Sequence, residues 1–279
     1  MPAYCPDPPP GLRRDRALAG RTDVDALRVV YVGQAAAILA TRSGTLVPVT
    51  AGPACLVPGG IGVPDRVALA PVLARWSELV GGTLAAAIDL RAWHAAATAV
   101  ELRIPAVDRA GFTAAQFAEL DRGLPDSSLR AGGFCPGERA EELARLARED
   151  HAGELGACVA ATVGAGMGTT PAGDDVICGV LAGFDLLGFE GAHRGLGAAV
   201  ATRLPYTTHS SRHLLAAAAA GRYTEGLIGL AAALVSASAP AVRTALAVLR
   251  RWGASSGLDQ ATGFAAAIRA GAPVGEGAR

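Results

Sequence analysis

Lysine and asparagine are missing from this chain: across its 279 residues every basic side chain other than histidine is arginine. Without a lysine ammonium, neither a Schiff-base mechanism nor a Walker-type phosphate loop can be built. Any bound anion must be held by arginine, backbone N–H groups, hydroxyls or a metal. Net charge is lacking too, since 25 acidic residues balance 25 basic ones. No overall field draws the protein to nucleic acid or an anionic membrane, and a small, locally recognised partner fits better. The five cysteines form no C-x-x-C pair, and their odd number argues against a closed disulfide set. The uncharged stretch at residues 155–173 is broken by glycines and a proline, which makes it a poor membrane span. No apolar segment follows a basic start at the N-terminus, so no secretory signal is expected and the protein is read as cytoplasmic. G-x-S-x-G and a Rossmann G-x-G-x-x-G in its usual setting are also missing.

What is present is a hydrophobic content of 51%, ample for one large or two ordinary cores. Residues 1–22, rich in Pro and Arg, and 271–279, rich in Gly, read as loose tails. Between 23 and 122 the texture is short β-branched runs divided by turn residues, at 27–32, 37–41, 46–50 and 55–58, with a further strand expected over 98–104. Leu69, Val72, Leu73, Trp76, Leu79 and Val80 share one helical face. Residues 123–137 have the composition of a linker, and the domain boundary is expected there. Beyond it, 138–150 reads as an amphipathic helix with Glu141 and Arg145 as an i,i+4 pair. Ala- and Leu-rich helices follow at 176–188, 193–203, 211–220, 225–238, 240–252 and 259–269. The expected fold class is α+β: a β-rich N-terminal domain followed by a mainly helical domain over 138–270.

The chemistry is expected around residues 164–175, Gly-Ala-Gly-Met-Gly-Thr-Thr-Pro-Ala-Gly-Asp-Asp. Alternating glycines let the backbone approach a ligand, Thr169 and Thr170 offer hydroxyls, and Pro171 can open a helix. Free N–H groups around Gly166, Gly168 and Gly173 favour an anion, whereas Asp174 and Asp175 favour a cation such as Mg²⁺ or cap the helix. The bland alternative is a helix connection in which Gly179 and Gly183 allow close packing. An echo follows: Gly173-x-Asp175-x-x-x-Gly179 matches Gly257-x-Asp259-x-x-x-Gly263, with Ser255 or Ser256 as a candidate N-cap. Two such helix starts could face one ligand. Between them Thr207, Thr208, Ser211 and Arg212 are candidate substrate contacts or a solvated helix start. His209 and His213, four apart, are a weaker metal candidate. His94, His151 and His193 stand alone in the sequence.

These three segments resemble the signatures of a bacterial family associated with AllH, a subunit of oxamate carbamoyltransferase. Thr169, Ala172 and Ala254 depart from that pattern. The resemblance implies phosphorolysis of oxalurate to oxamate and carbamoyl phosphate in purine or allantoin breakdown, by a chain working with other protein subunits. It further implies a small anionic substrate held near Gly166 to Gly173, with Asp174 and Asp175 placing a metal or orienting the substrate amide. Ser256 and Asp259 would complete that pocket. The alternatives are a non-catalytic helical scaffold subunit and a Mg²⁺-dependent nucleotide- or phosphate-binding transferase.

Overall fold

The computed structural model describes residues 4–18, 21–80, 87–104, 107, 112–124, 134–236 and 238–271. The chain divides into two compact units, Met1–Leu102 and Arg103–Arg279, each with its own apolar cluster. The first carries a mixed sheet and the second is helical, so the class is α+β as expected.

In the first unit the strands are β1 (Arg13–Asp15), β2 (Arg28–Val32), β3 (Ala36–Ala40), β4 (Leu46–Ala51), β5 (Ile61–Val63) and β6 (Thr98–Val100). They join in the order β2-β3-β4-β5-β1-β6. The β2–β3–β4 meander is antiparallel, β4–β5 and β1–β6 pair in parallel, and β1–β5 is antiparallel. Helices α1 (Arg66–Ser77) and α2 (Arg91–Ala96) accompany the sheet. Asp65 caps α1 by accepting from the Val67 N–H at 2.8 Å, and Leu69, Leu73 and Trp76 face inward. Trp76 meets Trp93 of α2 at a ring separation of 5.9 Å.

Two expectations need correction here. Residues 1–22 are not simply a loose tail, because β1 fills the slot between β5 and β6 while Leu12 and Leu18 are buried. The buried Asp15 carboxylate ties the segment down, accepting from Gly59 N–H at 2.6 Å and Ala17 N–H at 3.0 Å. Composition missed this because so short a strand needs few apolar anchors. Residues 55–57 are irregular and lead into a turn at Pro58 and Gly59 rather than forming a strand. The Thr50 hydroxyl donates to the Cys55 carbonyl at 2.7 Å, and the sheet resumes only at Ile61.

In the second unit the helices are α3 (Ala114–Gly123), α4 (Pro136–Arg148), α5 (Ala152–Thr162), α6 (Ala172–Leu187), α7 (Glu190–Ala201), α8 (His209–Ala219), α9 (Glu225–Val235), α10 (Ala239–Leu249) and α11 (Ser256–Gly271). Every side chain of α6 from Gly173 to Leu187 is buried except Asp185, making it the central helix of this unit. A helix buried all round needs neighbours on every side.

The sequence places the domain boundary at 123–137, whereas the units divide after Leu102. Residues 125–133 and 272–279 lie outside the described residues. Helix α3, ahead of that segment, is bound into the helical unit: Glu119 accepts from Arg243 of α10 at 3.0 and 2.7 Å. The expected Glu141–Arg145 pair does not form. Arg145 reaches forward to Glu149 at 2.5 Å, and Glu141 lies 3.7 Å from Arg269. Among the described residues no helix is long and apolar enough to cross a membrane.

Candidate functional site

The glycine echo becomes a helix crossing. A Cβ at Gly179 would overlap the carbonyl oxygen of Gln260, and one at Gly263 would overlap that of Val176. The contact is reciprocal, since these glycines are equivalent positions of the two motifs. Contacts advance together, Val176 with Gly263 and Gly183 with Ala267, so α6 and α11 run parallel. Their N-terminal ends therefore lie side by side. Thr170, just ahead of α6, and Ser256, the first residue of α11, share a hydroxyl hydrogen bond of 2.8 Å. Both positive helix ends meet at one place, although the N–H groups of Gly173, Asp174, Asp175, Gly257, Leu258 and Asp259 already donate to backbone carbonyls nearby.

The loop before α6 is shaped by left-handed glycines: Gly164, Gly166 and Gly168 have φ of 77°, 104° and 103°. Gly164 also lies against the Tyr206 carbonyl, where a Cβ would be 2.7 Å from the oxygen. The loop surface is exposed from Gly166 to Thr169, and Met167 at its crest is 93% exposed. Beneath it, Asp174 and Asp175 are each only 1% exposed. Asp174 Oδ1 accepts from Gly164 N–H at 2.9 Å, and its Oδ2 accepts from the Thr207 hydroxyl. This aspartate closes the loop and fastens it to the segment ahead of α8. Asp175 turns instead toward α11, where Oδ1 accepts from Gln260 Nε2 at 2.9 Å. Gln260 Oε1 in turn accepts from the Thr224 hydroxyl at 2.9 Å.

Burial pushes the Asp174 carboxyl up, with Thr207, Gly164 and Ser211 offsetting part of the effect. Asp175 is driven well above the ordinary carboxylate range by complete burial, and the neighbouring Asp259 adds to it. Gln260, Ser256 and Thr170 oppose that shift, yet Asp175 Oδ2 has no partner within hydrogen-bonding distance. Asp259 is likewise raised by burial, with Ser255 opposing.

Against the expectation that Asp174 and Asp175 place a metal or orient the substrate amide, the structure turns the two residues to different partners. The carboxylates diverge, both oxygens of Asp174 are engaged, and neither residue reaches the surface. No group of three or more His, Cys, Asp or Glu able to hold a metal occurs among the described residues. His209 and His213 do share α8, but without a third ligand. Helix capping by the aspartates is also absent, because the N-cap is Pro171.

The remaining candidates fall into two groups. Thr208 caps α8, accepting from Ser211 N–H at 3.1 Å, while its hydroxyl donates to the Thr169 carbonyl at 2.6 Å. Thr169, Thr170, Thr207, Thr208 and Ser256 thus gather around the loop. Arg212 is spent locally, donating from Nε to the Leu204 carbonyl at 3.0 Å. Ser211 and Asp259 are buried. Gly173 and Gly257 are packing positions, each lying where a Cβ would overlap a carbonyl oxygen, of Thr162 and Leu249 respectively. Sequence reasoning missed Gln260 and Thr224; only the position of Gln260, directly after the echoed Asp259, gave a signal. His193 does not stand alone either, since its Nε2 lies 3.0 Å from the Tyr223 hydroxyl.

Fold and site together define an α+β protein with a hydroxyl- and amide-lined loop where two parallel helices begin. Residues 162–268, the stretch containing that whole constellation, match the family described as oxamate carbamoyltransferase subunit AllH. No curated protein and no solved structure matches the chain.

Proposed function

We propose that this chain is the AllH-type subunit of an oxamate carbamoyltransferase. The observation that carries the reading is coincidence: the family match spans the same residues that converge at the paired starts of α6 and α11. In the reaction, a phosphate oxygen attacks the ureido carbon of oxalurate. The C–N bond to the oxamoyl nitrogen breaks, that nitrogen takes a proton and leaves as oxamate, and carbamoyl phosphate remains.

The exposed amides of residues 166–169 and the Thr170–Ser256 hydroxyl pair suit the anionic groups of this chemistry. Asp174 and Asp175 act from beneath, shaping the loop and the start of α11 rather than meeting the substrate.

The test is to mix the purified chain with its companion subunits, oxalurate and phosphate, and to measure carbamoyl phosphate. Turnover by the assembly is expected, and Ser256→Ala is expected to lower it on the order of a hundredfold without loss of assembly. No carbamoyl phosphate from the full assembly would sink the reading. The burial of both aspartates favours one alternative, a scaffold subunit that supports another chain's site. Unchanged turnover in Ser256→Ala and Thr170→Val together would establish that alternative.

A further inference from the structure

At the far end of α6, about ten residues and so about 15 Å along the axis from Asp175, a cleft of about 470 Å³ opens beside α7 and the end of α8. Its base is a hydrogen-bonded triad. Tyr223, itself 2% exposed, donates its hydroxyl proton to Asp185 Oδ2 at 2.6 Å. His193 Nε2 lies 3.0 Å from the same phenol oxygen and 3.2 Å from the Ala218 carbonyl. Because the phenol proton is committed to Asp185 and the carbonyl only accepts, Nε2 must carry the ring proton. Nδ1 is then the ring's remaining polar atom.

The triad fixes Asp185 as an acceptor with spare capacity, since Oδ1 stands 3.7 Å from His193 Nε2, beyond hydrogen-bonding reach. Its position is electrostatically unfavourable. Asp185 lies in the last turn of α6, and the C-terminal carbonyls of α8 reach the same place, so a carboxylate faces two negative helix ends. The Arg103 guanidinium stands on the Oδ2 side, since a Cβ at Gly221 would lie 3.2 Å from Asp185 Oδ2 and 3.4 Å from Arg103 Nη1, so Oδ1 is the oxygen left to a ligand's cation. Across it, on the first two turns of α7, Glu190 and Arg194 stand four residues apart in the order that favours an ion pair. Neither has an ion-pair partner among the described residues, and both line the cleft. Between the two sides the wall is made of Gly197, Ala198 and Ala219, which leaves room for a small molecule.

We propose that this cleft binds a small zwitterion carrying an ammonium group and a carboxylate, as an amino acid does. The ammonium sits against Asp185 Oδ1 and Glu190, and the carboxylate pairs with Arg194. A simple anion would meet Asp185 and Glu190 unfavourably, and a simple cation would leave Arg194 unpaired. A divalent metal is a poorer occupant, because no set of three ligating side chains is present among the described residues. The proposal is independent of the carbamoyltransferase reading, as none of these residues belongs to the loop at the start of α6.

The test is an NMR titration of the full chain with glycine and β-alanine, using acetate and methylammonium as single-charge controls and following the His193 ring signals. Saturable shifts are expected with at least one zwitterion, at concentrations at least tenfold lower than either control requires. Arg194→Ala and Glu190→Gln, both at exposed positions, are expected to weaken that binding at least tenfold while the folded spectrum persists. Asp185→Asn is a third arm, counted only if the spectrum shows a folded chain. Absence of saturable shifts, equal response to acetate, or unchanged binding in both α7 variants would overturn the proposal.

Discussion

A single methyl group added at Gly179 would collide with the Gln260 carbonyl oxygen, which belongs to the backbone of α11 and cannot rotate aside. Gly179→Ala is therefore expected to cost about 3 kcal/mol, the upper part of the usual range for overpacking. Gly229 in α9 is its control, because nothing lies within 4 Å of a Cβ there. Gly229→Ala is expected to stabilise by roughly 0.5–1 kcal/mol through reduced freedom of the unfolded chain. Equilibrium denaturation of the two variants measures both, and equal effects would contradict the crossing described above. Asp175 gives a second residue-scale expectation. A carboxyl raised by burial supports folding below its unfolded value, and that contribution is lost as pH rises through its native value. Relative to the parent chain, Asp175→Asn should thus gain stability as pH is raised, and its stability should depend less steeply on pH. Unfolding curves collected across mildly acidic to mildly alkaline pH would show it, and a parallel pH dependence in both proteins would count against a buried, raised carboxyl.

Among the elements, α3 is secured to α10 by charge. Arg243 foremost, with Arg122, holds the Glu119 carboxyl down to about 2 from its usual 4.5. The sign is opposite to that of Asp175: the contribution is present above about 4.5 and disappears as pH falls toward about 2. Glu119→Gln is expected to lower the melting temperature at neutral pH and to match the parent chain near the acid limit. Calorimetry at several pH values tests this, and a deficit persisting at the acid limit would point to packing instead. Helices α4 and α6 to α11 were legible because their apolar periodicity is local, whereas α3 and α5 were not expected; α6 and α11 each begin a few residues ahead of the expected spans. The glycine echo was legible as well, though its packing role became visible only once Gly179 and Gly263 faced each other. Contacts distant in sequence left no trace to read. Asp174 bonds back to Gly164 and forward to Thr207, and nothing in a Gly-Asp-Asp string says that one carboxylate turns to the loop and the other to α11. For the same reason β1 was unreadable, since its partners β5 and β6 lie far along the chain.

For the whole molecule, each unit has a separate apolar cluster, and a unit with its own core can fold by itself. Residues 103–279 expressed alone are expected to give a cooperative helical unfolding transition, measured by circular dichroism. A non-cooperative melt would mean that the sheet unit is required for the helical unit to fold. Such a fragment retains the one internal methionine of the chain, Met167. Its thioether stands clear of the surface on the crest of the glycine loop, where mild peroxide reaches it first. Conversion of that one side chain to its sulfoxide gives the molecule a built-in footprinting label, and the rate at which the label appears, read by peptide mass, reports whatever comes to cover the loop.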